Sequence, residues 1–225
     1  MKKLFFLFVM AVAMAGLSAQ TINFAVLPIE GGTTLDETTQ ELLQTRLKQI
    51  LTRNSAGAAG AYCVFGVQPQ LDVTDTRTAS GVSGSVSVAK GVLTLIAMNV
   101  VDGSLYHSAV ISLTAQIKEG VEPAKALVQN VKVTDKQFTK FVRLAKQKIE
   151  EYYAENCSTI LQRAQALYKQ GKFEEAAAYL AAISESVPCY EQASEILDKL
   201  SDYITEKPDT IVVRRPVPSS TEMEE

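Results

Sequence analysis

The chain has 225 residues, 47% of them hydrophobic, enough for one large domain or two small ones with a proper core. Its 22 basic and 25 acidic residues give a net charge of −3 and form no basic cluster. That argues against a nucleic-acid backbone as the main partner, because such binders concentrate Lys and Arg on one surface.

The first residues read as an export signal. MKK is a positive n-region, LFFLFVMAVAMAGL an apolar core, and Leu17-Ser18-Ala19 a cleavage site ahead of Gln20. The apolar run is shorter than the roughly 20 residues needed to span a bilayer. No later stretch is long enough either, so no transmembrane span is expected after cleavage. No Cys stands at the cleavage point, so lipid attachment there is not expected. The short signal and the composition have a bacterial look, and the destination would be a periplasm or the exterior.

TINFAVLPI (21–29) reads as a short strand ended by Gly31-Gly32, and a helix follows from about Leu35 to Thr52. Thr34 with Glu37 is a capping-box pattern, and Leu43, Leu47, Ile50 and Leu51 recur at helical spacing. The order strand, glycine turn, helix invites a phosphate-loop reading. No Gly-Lys-Ser/Thr and no third glycine are present to support it. NSAGAAG (54–60) is a link. YCVFGVQPQLDV (62–73) is a second strand, with Pro69 marking an edge or bulge. Thr74 to Ser87 is either a loop or the tip of a long hairpin.

The strongest local signal is GVLTLIAMNVVDGSLYHSAVISLTAQI (91–117), a hairpin with Asp102-Gly103 as a two-residue type I′ turn. That turn would set Val100 against Leu105, Met98 against His107, Ile96 against Ala109, Thr94 against Ile111 and Val92 against Leu113. All ten would share the core face. Leu95, Ala97, Asn99, Ser104, Tyr106, Ser108 and Ser112 would lie on the other, partly covered face. Tyr106 and Ser108 are therefore candidate partner-binding residues.

Pro123 opens a short helix. Thr134 with Gln137 caps a longer one, whose Phe138, Phe141, Val142, Ala145, Ile149, Tyr152 and Tyr153 make the best amphipathic stripe in the chain. Its natural place is across the core face of the hairpin. From Cys157 the texture becomes a helical pair, with Ile160, Ala164 and Leu167 on the first helix. Gly171 breaks it, Phe173, Ala176, Leu180 and Ile183 line the second, and Pro188 ends that one. A third helix is expected over Glu191 to Tyr203. The region resembles a tetratricopeptide repeat, through Ala164, Leu167, Gly171, Phe173, Ala176-Leu180-Ile183 and Pro188. Such pairs present concave surfaces to peptides, which adds Tyr168 and Tyr179 as candidate contacts. Lys207 to Glu225, with three prolines, is expected to be disordered.

Of three cysteines, Cys157 opens the first helix of the pair and Cys189 lies past the end of the second. In an antiparallel pair those ends are neighbours, which predicts a Cys157–Cys189 disulfide. Three reduced thiols is the alternative. Cys63 is then a buried structural thiol on a strand.

Chemistry is hard to find. His107, the only histidine, has no ligand-spaced partners, and a metal site wants three or four. No Ser-His-Asp arrangement or G-x-S-x-G is present. Asp72 and Asp75 could pair as acid and base or hold calcium, but two carboxylates among threonines are weak evidence, and they are read as a solvated loop. No catalytic residue, cofactor or metal is expected, and the protein is read as a non-enzyme.

The order FAVLPIEGG, amphipathic helix, AYCVFGV, then a long strand ending Val-Val-Asp-Gly and a return strand SLYHS resembles the α/β domain of bacterial envelope-assembly proteins. These include the curli secretion channel subunit, outer-membrane activators of penicillin-binding proteins and the N-terminal domain of the Tol translocation protein. The resemblance implies a periplasmic or outer-membrane-associated scaffolding module with envelope proteins or peptides as partners. Self-association stays open. The competing reading is a secreted hydrolase or small-ligand carrier with a site at the open face of the sheet. The expected fold is α+β. A mostly antiparallel three- to four-stranded sheet packed by helices precedes a tetratricopeptide-like helical hairpin. The expected division is signal peptide 1–19, envelope-type domain 20–155, helical module 156–205 and tail 206–225.

Overall fold

The computed structural model describes residues 22–57, 63–81, 84–201 and 203. The signal peptide, the tail beyond Tyr203, and Ala58 to Tyr62 lie outside these residues. The fold is α+β. A four-stranded sheet in the order β1 (Phe24–Val26), β2 (Phe65–Gly81), β3 (Gly84–Asn99) and β4 (Leu105–Ile117) is packed with helices. β1 and β2 are parallel, and the other pairs are antiparallel. A parallel pair needs a crossover, which α1 (Glu37–Arg53) supplies with Leu43, Leu47, Ile50 and Leu51 buried. The Thr74 to Ser87 region is hairpin: β2 runs on to Gly81 and β3 begins at Gly84.

Helix starts fall one or two residues from the expected caps. Asp36, not Thr34, begins α1, accepting from the Thr39 N–H at 2.9 Å. Hydrogen bonds from the Thr38 and Thr39 hydroxyls hold its carboxyl well below the usual range. Asp135, not Thr134, caps α3 (Lys136–Lys169) by accepting from the Gln137 N–H at 2.9 Å. In both cases a carboxylate sits one or two positions nearer the orphan N–H groups than the threonine. α2 (Pro123–Gln129) has proline in its first turn.

α3 is the spine of the molecule. It runs for 34 residues without a break at Cys157, because no Gly or Pro interrupts it. The first half packs on the sheet through Phe138, Phe141, Val142, Ala145, Ile149 and Tyr153, and the second half buries Ile160, Leu161 and Ala164. One helix thus crosses from the sheet region into the helical C-terminal region, and the larger apolar core is continuous from Ile22 to Leu200. Gly171 (φ +74°) ends α3. There the Lys172 N–H reaches the Leu167 carbonyl and the Gly171 N–H that of Tyr168, a Schellman closure that favours glycine. α4 (Phe173–Ala181) stops well before Pro188, and α5 (Tyr190–Ser201) follows a turn.

Cys157 in the middle of α3 is bonded to Cys189, just before α5, with Cα atoms 5.8 Å apart. Cys63 is free and half-buried; its Sγ lies 3.1 Å from the Asn23 and Phe65 carbonyls, and burial raises its pKa. The disulfide closes a separation of 32 residues, which on the chain-entropy account stabilises by about 3–4 kcal/mol. Cys157→Ser with Cys189→Ser is expected to lower the unfolding free energy by that amount. Urea denaturation followed by circular dichroism checks it, and an unchanged midpoint contradicts it.

Candidate functional site

The face a strand shows depends on its register, and the hairpin register differs from the type I′ expectation. Gly103 has positive φ (+74°) but Asp102 does not, so the turn is not type I′. Instead the Gly103 N–H bonds to the Asn99 carbonyl, and the Asn99 N–H to the Ser104 carbonyl at 2.8 Å, closing a four-residue loop. The Asn99 Oδ1 accepts from the Val101 N–H at 2.7 Å and the Asp102 Oδ1 from the Ser104 N–H at 2.9 Å. A β-bulge follows: Met98 pairs with Leu105, Ala97 with His107, Leu95 with Ala109 and Leu93 with Ile111. A shift of one residue moves a strand's side chains to the opposite face. On β3 the buried residues are therefore Ala89, Gly91, Leu93, Leu95, Ala97 and Asn99, while Val92, Thr94, Ile96 and Met98 are half-exposed. The expected core and open faces of this strand are exchanged. On β4 the expected side holds for Ile111, the buried member, but Leu105 is 68% exposed.

Small residues explain which side of β3 the helices take. A Cβ at Gly91 would lie 2.6 Å from Leu127 Cδ1 of α2. Ala89, Ala115, Ala126 and Leu127 form a compact cluster there. The helix side admits close approach that the Val92, Ile96 and Met98 side does not.

The open face is a grid. Its rows run Gly66–Met98–Leu105, Gln68–Ile96–Ser108, Gln70–Thr94–Val110 and Asp72–Val92–Ser112 across β2, β3 and β4. Val92, Ile96, Met98, Leu105 and Val110 give it an apolar stripe, with Gln68, Gln70 and Asp72 along one flank and Ser108 and Ser112 along the other. The Gln70 Nε2 donates to the Asp72 Oδ2 at 3.1 Å, consistent with both lying on this face. Asp75 instead pairs with Arg77 at 2.7 Å, beyond a bulge between Val73 and Asp75. The two aspartates are thus occupied separately. Among the described residues no group of His, Cys, Asp and Glu could hold a metal ion.

The bulge turns Tyr106 and His107 toward α3. His107 stacks on Phe141 with centroids 5.6 Å apart; burial, and then the Lys148 charge, push its pKa down. Tyr106 is not on the open face. It packs against Phe65, Tyr152 and Tyr153 with centroids 5.8, 5.3 and 6.3 Å away. Asn99 Nδ2 donates to the Tyr153 hydroxyl at 3.3 Å, and the Tyr106 hydroxyl lies 3.5 Å from it. Burial pushes the Tyr106 pKa up to about 12 and that of Tyr153 higher still. Tyr179 is 9% exposed, with the Arg163 guanidinium 4.7 Å over its ring. Burial, and then the Asp102 charge, raise its pKa. Tyr168 packs edge-on against Phe173 and Tyr203, with centroids 5.5 and 5.8 Å away, and those two rings stack on each other at 4.7 Å. Of the four residues proposed from sequence as partner contacts, Ser108 is exposed on the open face. The three tyrosines occupy packing junctions.

The open-face residues that sequence reasoning did not place there are Gln68, Gln70, Ile96, Met98 and Val110. The signal was present in β2, where Phe65, Val67, Pro69 and Leu71 alternate with Gly66, Gln68, Gln70 and Asp72. That alternation assigns the faces independently of the hairpin turn.

No protein-family model matches the chain, and no curated protein matches it. Among solved structures it is similar to a provisionally assigned lipoprotein from Caulobacter crescentus CB15, at 13% identity and a TM-score of 0.31, over 56% of this chain and 89% of that one. It is also similar to a provisionally assigned homologue of a neuraminyllactose-binding hemagglutinin from Helicobacter pylori, at 15% identity and a TM-score of 0.31, over 58% of this chain and 90% of that one. Both are weak bacterial neighbours and assign no function. No described helix is long and apolar enough to cross a membrane.

The tyrosine junction titrates in a predictable direction. Tyr106 has a folded pKa of about 12 against an ordinary 10.0. The unfolded chain therefore loses its proton first, and the stabilisation is full below pH 10 and lost as pH rises toward 12. Tyrosinate absorbance is expected to show this ring ionising late, with alkaline unfolding. Tyr153→Phe removes the acceptor of a buried Asn99 donor and is expected to cost about 1–3 kcal/mol, measured by urea denaturation.

Proposed function

We propose that the chain is an exported interaction module of the bacterial cell envelope that acts without catalysis. Its open sheet face would bind an envelope protein or an extended peptide. The observation that carries this reading is the grid itself. One face of the sheet is packed by helices, and the other presents an apolar stripe between rows of Gln and Ser side chains. Exposed apolar surface rimmed by polar groups marks protein-interaction sites. Amides and hydroxyls suit backbone and polar side-chain partners, and the near absence of charge on the grid fits neither a phosphate nor a metal ion. The disulfide supports an oxidising compartment, and the signal-like N-terminus supports export. The resemblance to envelope-assembly domains points the same way.

Photo-crosslinking from Ile96 and Met98 in native envelopes tests the reading, with the exposed Glu174 of α4 as the comparison position. A discrete protein partner captured from Ile96 and Met98 but not from Glu174 is expected. Ile96→Lys is expected to weaken that association by about tenfold or more, since it buries an unpaired charge in the interface. The fold is expected to survive, because the side chain is half-exposed. Capture from α4 alone, or a small molecule retained on the open face in place of a protein, contradicts the reading.

A further inference from the structure

β4 ends the sheet, and among the described residues no strand pairs with its outer edge. An open edge displays unpaired N–H and C=O groups. Natural proteins usually blunt such edges with Lys, Pro, a bulge or a very short strand. β4 is 13 residues long, LYHSAVISLTAQI, with no proline and no Lys, Arg, Asp or Glu. Its ends are closed. At the start the bulge tucks Tyr106 against Tyr152 and Tyr153. Near the finish Asn130 Nδ2 donates to the Thr114 carbonyl. Between them runs His107 to Leu113, and at its centre stands Val110, 63% exposed.

We propose that this stretch pairs antiparallel with the same stretch of a second copy, about a two-fold axis at Val110, making one continuous sheet across a dimer. The site is the backbone edge of β4, whose Ser108, Val110 and Ser112 side chains also line the open face assigned above, and the proposal stands without that reading. The sequence Ser108-Ala109-Val110-Ile111-Ser112 is nearly the same in both directions. Centred on Val110, the pairing sets Ser108 against the partner's Ser112, Ala109 against the partner's Ile111 and Val110 against the partner's Val110. Residues directly opposite share a face, so each open-face side chain meets another and each helix-side chain meets another. A register shifted by one residue would break this match. Self-pairing commonly fails because a charged residue meets its own copy or a near neighbour, and like charges across strands destabilise. No such residue stands here. His107, the one titratable group in the stretch, is stacked on Phe141 and would lie opposite the partner's Leu113.

Sedimentation velocity of the full exported chain over a concentration series tests the proposal. A reversible dimer is expected. Val110→Lys is expected to raise its Kd by about tenfold or more, because two ammonium groups then oppose each other. Circular dichroism should be unchanged, and Val86→Lys, at an exposed site on β3, should dimerise like the parent. In a Cys63→Ser background, Val110→Cys should trap the dimer under mild oxidation, since directly opposed Cβ atoms lie about 4.5–5.5 Å apart. Val86→Cys should not. If Val110→Lys fails to fold, the trapping result decides. A parent chain that stays monomeric, a Val110→Lys dimer of parental strength, or no trapping at Val110→Cys would overturn the proposal. So would amide protection of His107 to Leu113 in a monomer that disappears on truncation after Tyr203, which would assign the edge to the chain's own tail.

Discussion

A buried polar contact between one loop and one helix organises the rest of this structure. Asn99 ends β3 on the helix side, 1% exposed, where an unbonded amide would cost heavily. Its Oδ1 takes the Val101 N–H and its Nδ2 reaches the Tyr153 hydroxyl. The first bond shapes the four-residue loop, and the second fixes that loop to the middle of α3. With Asn99 on the helix side, period-two alternation places Ala97, Leu95 and Leu93 there too. Val92, Ile96 and Met98 are then left on the face without helices. The bulge beside Asn99 brings Tyr106 and His107 under α3 and leaves Leu105 on the open side. Every surface assigned to interaction follows from that register.

α3 converts this local arrangement into a molecule. Its first half roofs the sheet and its second half is the wall on which α4 and α5 pack. The Cys157–Cys189 bond lies within that wall, so the helical C-terminal region is tied to the same rod that covers the strands. A lone helical pair would be too small to stand by itself. Sharing α3 supplies the core it lacks, as the continuous burial from Phe138 through Ala164 to Leu200 shows. Tyr179 with Arg163, and Tyr168 with Phe173 and Tyr203, are the aromatic joints of this assembly.

Much of this was legible in the residues. Leu43, Leu47, Ile50 and Leu51 announced α1, and the stripe from Phe138 to Tyr153 announced the roof over the hairpin. Pairing Cys157 with Cys189 needed only the antiparallel path of the helices. The face of β3 was not legible from that strand alone. Leu93, Leu95 and Ala97 on one side and Val92, Ile96 and Met98 on the other are about equally apolar, so periodicity is silent and the turn decides. Asp102-Gly103 reads as a two-residue turn, but Asn99 bonds locally to Val101 and favours a longer loop, as Asn side chains do. The Gln68, Gln70 and Asp72 alternation on β2 carried the correct answer one strand away. The expected boundary between residues 155 and 156 came from a change of texture, whereas helix continuity depends on the absence of Gly and Pro, which holds from Lys136 to Lys169.

The central claim is that β3 turns its odd-numbered residues to the helices and its even-numbered residues to the open face. Thiol labelling of single cysteines placed along β3, in a Cys63→Ser background with the Cys157–Cys189 bond intact, tests it most directly. The structure predicts rapid modification at Thr94→Cys, Ile96→Cys and Met98→Cys and protection at Leu93→Cys, Leu95→Cys and Ala97→Cys until the protein unfolds. The reverse pattern would restore the type I′ register and contradict the account.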